Sequence, residues 1–179
     1  MYVYGGGGFL NAGIYVARFP VDNVMACTFW NGTTWGTIPT TAAAARIYNG
    51  HINNNTVGYA KGKYVIIDMS YGFTCDAEPR DVYVATSSNP LGPFTARKKV
   101  YTLPDLKQGH KPVFYNPTIH AEFDNGDNEL LVNYCVNWYG KNDGMGGMCL
   151  PDCSNSDGTK DPNDYRPKAI RIPFSLIGL

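Results

Sequence analysis

DVYVATSSNPLGPF, residues 81–94, divides into two halves with opposite backbone preferences. Val82, Tyr83, Val84, Ala85 and Thr86 form a β-branched and aromatic run, which favours a pleated, partly buried strand. From Ser87 onward the chemistry is that of a turn. Asn89 can bond its own backbone, Pro90 and Pro93 fix φ and remove donors, and Gly92 tolerates positive φ. A strand that ends in a tight polar turn and re-enters on Phe94 is one arm of an antiparallel meander. Weaker copies of that arm occur at residues 13–20 (GIYVARFP) and 168–175 (KAIRIPFS), so the chain reads as a repeat protein.

Working outward, each copy follows another strand-like run: YVY at residues 2–4, KYVIIDM at 63–69 and ELLVNYCV at 129–136. Further strands are predicted at 26–30, 33–35, 56–59, 97–101 and 117–123, and Asn31-Gly32 is a strong hairpin dipeptide. The connections vary while the strands do not. They span 13 positions from Val3 to Val16, 19 from Val65 to Val84 and 39 from Leu131 to Ile170. Core strands with loops growing from one end fit an all-β fold, a β-propeller of antiparallel meander blades. The blade-like units run from about 1–40, 41–105 and 106–179 within one propeller domain, taken as partial. Residues 41–47 (TAAAARI) and 103–108 each predict a turn or two of helix.

Hydrophobic residues make up 44% of the chain and charged ones 17%, a globular composition. Fifteen basic and fifteen acidic residues cancel, with no basic block to suggest nucleic acid or an anionic membrane. No apolar run approaches the roughly 18–20 residues of a bilayer span. The start has no basic region followed by an apolar core, so it does not read as a signal peptide. Tyr2 to Tyr4 already reads as a strand, and the chain is expected to begin partway through a longer protein.

The five cysteines are Cys27, Cys75, Cys135, Cys149 and Cys153. Asn31-Gly32-Thr33 and Asn54-Asn55-Thr56 are acceptor sequences for N-glycosylation at Asn31 and Asn54. With 13 Tyr and 20 Gly, these features predict a secreted, disulfide-bearing glycoprotein. Residues 138–165 form the longest connection, and unstructured loops of that length are usually functional, disordered or stapled. Cys149 and Cys153 suggest a disulfide staple there, with Cys135 at its base. The acidic residues Asp152, Asp157, Asp161 and Asp164 read as a solvated loop or a structural calcium site, without the ligand spacing of an EF-hand. No other cofactor is indicated.

At this point the residues resemble a family. VYVATSSNPLGPF is similar to the strand, Ser, small-residue turn, Gly-Pro-Phe signature of five-bladed propellers related to glycoside hydrolase family 43. Residues 115–122 (YNPTIHAE), 129–137 (ELLVNYCVN) and 165–167 (YRP) resemble the last blade of uncharacterised secreted members of that clan. Arg166 before Pro167 departs from the family's Tyr-x-Pro-Arg order. The resemblance spans roughly residues 56 to 174 and implies five blades, about three of them in this chain. Three open blades would expose strand edges, so upstream sequence or neighbouring chains are expected to complete the ring. The resemblance also implies a carbohydrate partner at the axial end. Family hydrolases use a general base Asp, a general acid Glu and a pKa-setting Asp, and the resemblance implies that the base is to be expected on a first blade outside these three.

An inverting glycosidase needs carboxyl groups about 6.5–9.5 Å apart, one protonated and one ionised. The catalytic candidates are Glu78, Glu122 and Asp68. Each has a plainer reading: Glu78 as a surface ion pair with Arg80, Asp68 as a strand carboxylate satisfied by an Arg or a backbone donor. His120 and Glu122 are two apart on a predicted strand and so share a face. His120 then suits a sugar hydroxyl or a metal ion, or else a core histidine bonded to a carbonyl. Arg80, Asn137 and Trp138 complete the substrate-binding candidates. Trp30, Trp35 and Tyr139 are further aromatics placed to stack on sugar faces, with packing between blades as the alternative. The two function classes are therefore a secreted glycosidase and a non-catalytic glycan-binding or assembly module. P-loop, nucleophile-elbow and zinc-protease motifs are absent.

Overall fold

Sheet formation begins where the sequence alternates aromatic and small residues. β1 (Tyr2–Gly6), β2 (Ile14–Arg18), β3 (Thr28–Trp30) and β4 (Trp35–Gly36) form an antiparallel sheet in that order. β5 (Asn55–Ala60), β6 (Lys63–Met69), β7 (Asp81–Ser87) and β8 (Lys98–Thr102) form a second meander, also in sequence order. β9 (Val113–His120) and β10 (Glu129–Asn137) open a third sheet. β11 (Tyr139–Asn142) and β12 (Cys149–Pro151) make a separate two-stranded ribbon. A 3-10 turn at Pro162–Tyr165 follows, and β13 (Lys168–Pro173) returns to pair with the far edge of β10. The chain ends in the single helical turn α1 (Phe174–Ile177). The computed structural model describes residues 1–6, 13–37, 40, 42–49, 55–69, 80–106, 111–137, 139–142, 149–151, 159 and 161–179.

The second sheet is the middle layer because β6 and β7 are apolar on both faces. Val65, Ile67, Met69, Val82 and Val84 pack against Phe114, Leu130, Val132 and Ile172 of the third sheet. Ile66 and Ala85 point the other way, onto Ile14, Tyr4 and Tyr48. Val65, Ile66 and Ile67 are all fully buried, each worth roughly 1.5–3 kcal/mol of transfer free energy. The β5–β6 hairpin turns on Lys61 and Gly62, both at positive φ (47° and 81°), as a two-residue turn matched to strand twist requires.

The stretch at 81–94 behaves as its residues dictate. β7 stops at Ser87, Asn89 Oδ1 accepts from the Leu91 amide at 2.9 Å, and Gly92 has φ 84°. Phe94 then returns to pack beside Ile66 and against the Tyr48 ring. Elsewhere the chain corrects local expectation. Residues 42–47 do not form a helix, although alanines favour one. The Ala43 and Ala44 amides close a single turn onto Thr40 O, and the Ala45 amide then bonds to Trp30 O and the Ile47 amide to Ile14 O, both at 2.8 Å, so bonds to the first sheet end the turn before a helix can grow. Residues 103–106 are likewise non-helical, with the Leu103 amide bonded to Arg80 O. The final strand stops at Pro173, which precedes α1, and Gly178 ends that turn in the left-handed region (φ 72°).

The β9–β10 pairing shifts between Asn133 and Cys135, opposite Asn116 at φ 51° and Pro117. This is a bulge, and it accommodates a proline that cannot donate to the ladder. The 138–165 connection is only partly loop, since it contains the β11–β12 ribbon and the 3-10 turn. No helix among the described residues is long and apolar enough to cross a membrane.

Candidate functional site

Trp30 and Trp35 are cross-strand partners on either side of the Asn31–Thr34 turn, with ring centroids 5.5 Å apart. Trp35 lies 6.2 Å from Tyr2, and Tyr2 lies 6.3 Å from Tyr64 of the neighbouring sheet. Tyr64 is 5.0 Å from Tyr59, its partner across the β5–β6 hairpin. Five rings thus form one row across two sheets. Neighbours are tilted or edge-on, the arrangement aromatic quadrupoles prefer. The row is not sealed: Tyr2 is 39% exposed and Tyr59 57%.

Arg18 lies exposed at the end of β2, its guanidinium 4.3 Å over the Trp35 ring. Beside it opens a cleft of about 410 Å³ lined by Tyr2, Arg18, Phe19 and Thr28 among others. Burial, then Tyr2 and Tyr59, raise the Tyr64 phenol above its ordinary value, so it is a neutral hydroxyl at physiological pH. Sequence reasoning singled out Trp30 and Trp35 but treated the three tyrosines as strand formers. The missed signal was the pair of aromatics flanking Lys61-Gly62, which a two-residue hairpin brings face to face.

The carboxylates proposed for catalysis are arranged differently. Asp68 is fully buried in β6 and paired with Arg97 Nε at 2.9 Å. Arg97 in turn stacks 3.6 Å over the Tyr83 ring. Asp81, also buried, accepts from Thr102 Oγ1 at 2.5 Å and from the Tyr83 hydroxyl at 3.1 Å. These contacts tie both carboxylates into the second sheet.

His120 and Glu122 do meet, Nδ1 to Oε1 at 2.8 Å. They do so across a turn, because β9 ends at His120. Glu122 is exposed, and its hydrogen bond with His120 holds its carboxyl below the usual range, the opposite of a general acid. Asp68 sits opposite Asn55 at the start of β5. The turn carrying Glu122 is tied to the other end, where Lys61 Nζ meets Asp124 Oδ2 at 3.0 Å. A six-residue strand, about 17 Å at the usual rise, separates the two ends, so Asp68 and the turn carrying Glu122 belong to opposite ends of β5.

A family model described as a domain of unknown function, DUF5005, matches residues 1–174. The chain belongs to the DUF5005 family. No curated protein matches it.

Other expected site residues of this DUF5005 chain fall in several places. Arg80 is buried rather than at the surface, its Nε donating to Pro112 O at 2.6 Å. It braces the start of β7 against the chain entering β9. Asn137 ends β10, and Tyr139 begins β11. Glu78, Trp138, Cys75, Cys153 and Asn54 lie outside the described residues. Cys27 and Cys135 are free thiols, so the expected staple does not include Cys135. Cys149 begins β12. Asn31 is exposed, with Oδ1 accepting from the Thr33 and Thr34 amides at 3.0 and 2.8 Å. Of the acidic residues weighed for calcium, Asp161 caps the 3-10 turn and Asp164 is buried within it, while Asp152 and Asp157 lie outside the described residues. Among the described residues no cluster of His, Cys, Asp and Glu has metal-holding geometry.

Proposed function

We propose that this DUF5005 protein binds carbohydrate without cleaving it, through the aromatic row Trp30, Trp35, Tyr2, Tyr64 and Tyr59. The observation that carries the reading is the continuity of the row across two sheets, with its tyrosine ends open to solvent. Ring faces stack on the apolar faces of sugars, and the tyrosine hydroxyls add hydrogen bonds at the rim. The glycosidase alternative draws less support. It requires a protonated and an ionised carboxyl in one pocket, whereas Asp68 is paired with Arg97 and Glu122 is held ionised at the opposite end.

The scaffold reading is a β-propeller that presents this surface outside the cell. Its support is the repeated antiparallel meander and the packing of β5 of one sheet against β9 of the next. The resemblance to family-43-type propellers extends this reading to five blades, with the remainder supplied by further sequence or by neighbouring chains.

Titration calorimetry against soluble plant and microbial polysaccharides tests the function. At least one should bind, and Trp35→Ala and Tyr2→Ala should each weaken it about tenfold with the thermal transition retained. Absence of binding across the panel would refute the proposal. Release of reducing ends in the same incubations would replace it with an enzyme.

A further inference from the structure

We infer that the glycan bound along this row carries carboxylates, and that Arg18 is the residue that reads them. The inference rests on the carbohydrate-binding reading and adds a substrate class to it. Arg18 is exposed, and no carboxylate pairs with it among the described residues. Lys61, Arg97, Lys99 and Lys168 have acidic partners, while Arg46, Lys63 and Lys98 donate to uncharged oxygens. An unpaired guanidinium is not left to roam here. Its position 4.3 Å over Trp35 restricts the side chain, which reduces the entropy lost on forming a two-pronged bond to a carboxylate.

Its position matters as much as its charge. Arg18 is directly opposite Tyr2 across the β1–β2 pair and opposite Thr28 across β2–β3, and all three line the cleft beside the row. A sugar stacked on Tyr2 therefore brings its ring substituents within reach of the guanidinium. The Thr28 hydroxyl is turned toward the Arg18 carbonyl at 3.5 Å, so it leaves the cation available. A neutral glycan would satisfy the rings and leave Arg18 without a partner. A uronate-bearing chain satisfies both, and charge complementarity selects it.

The test compares two forms of one backbone: polygalacturonate and its fully methyl-esterified counterpart. Calorimetry at low and physiological salt should show the acid form bound about tenfold more tightly, with the difference shrinking as salt rises. Arg18→Gln should abolish that preference while leaving the weaker binding of the ester, and Arg18→Lys should restore only part of it. Trp35→Ala should weaken both forms. Equal binding of acid and ester, or binding of other neutral glycans only, overturns the carboxylate inference while glycan binding stands. Binding of poly-glutamate as tight as that of polygalacturonate also overturns it, since the ligand would then be an acidic peptide. Failure of every polysaccharide, with the protein folded, defeats both readings together.

Discussion

Removing the Asp68 carboxylate from water costs several kcal/mol unless a partner offsets it, and Arg97 Nε stands 2.9 Å away. Arg97→Ala should therefore destabilise the protein by about 3 kcal/mol, because it strands a buried charge. Urea denaturation checks this, and the double variant with Asp68→Asn should recover part of the loss. A cost below about 1 kcal/mol would mean that other donors hold Asp68 in place. The His120–Glu122 pair makes the contrast at the same scale. Its distance is equally short, but Glu122 is exposed, and exposed ion pairs contribute little. Glu122→Gln should leave the denaturation midpoint unchanged. A clear drop would show that the β9–β10 turn depends on that pair.

At the scale of elements, sheets two and three meet where β5 lies on β9, and the fit depends on the missing side chain of Gly58. A Cβ there would stand 2.8 Å from Ile119 Cγ2, closer than packed carbons approach. Gly58→Ala should cost about 1–3 kcal/mol by overpacking. Adding Ile119→Ala, which removes Cγ2 and Cδ1, should return part of it, and an additive double variant would show that the two strands are not in contact there. This contact also marks what the sequence could reveal. The runs at 63–69 and 81–87 are legible because β-branched residues fill both faces of a doubly covered strand. The Asn89 turn is legible because its chemistry is local. The path of residues 42–47 was not, since their alanines favour a helix and the amide bonds to Trp30 and Ile14, distant in sequence, stop it after one turn. Three of the five rings in the aromatic row were hidden for a related reason. Tyr2 and Tyr64 are 62 residues apart and become neighbours only when two sheets pack.

For the whole molecule, both sheet interfaces bury tyrosine hydroxyls, and this couples stability to alkaline pH. Burial, then Asp68, pushes the Tyr48 phenol up from 10.0 to about 12, with Arg97 opposing. Burial and neighbouring tyrosines raise Tyr4 further, and burial with Asp105 does the same to Tyr134. Tyr4 and Tyr48 lie between the first and second sheets, and Tyr134 in the core shared by the second and third. A folded-state pKa above the unfolded value means the folded protein binds the proton more tightly. The stabilisation is complete below about pH 10 and falls as pH climbs through about 12. Urea midpoints should therefore hold steady to about pH 9 and decline steeply beyond about pH 10, while phenolate absorbance of the folded protein lags that of the unfolded chain. Tyr48→Phe tests this cause directly. It removes the phenol and should flatten the slope between about pH 10 and 12. An unchanged slope would leave Tyr48 no part in the alkaline loss.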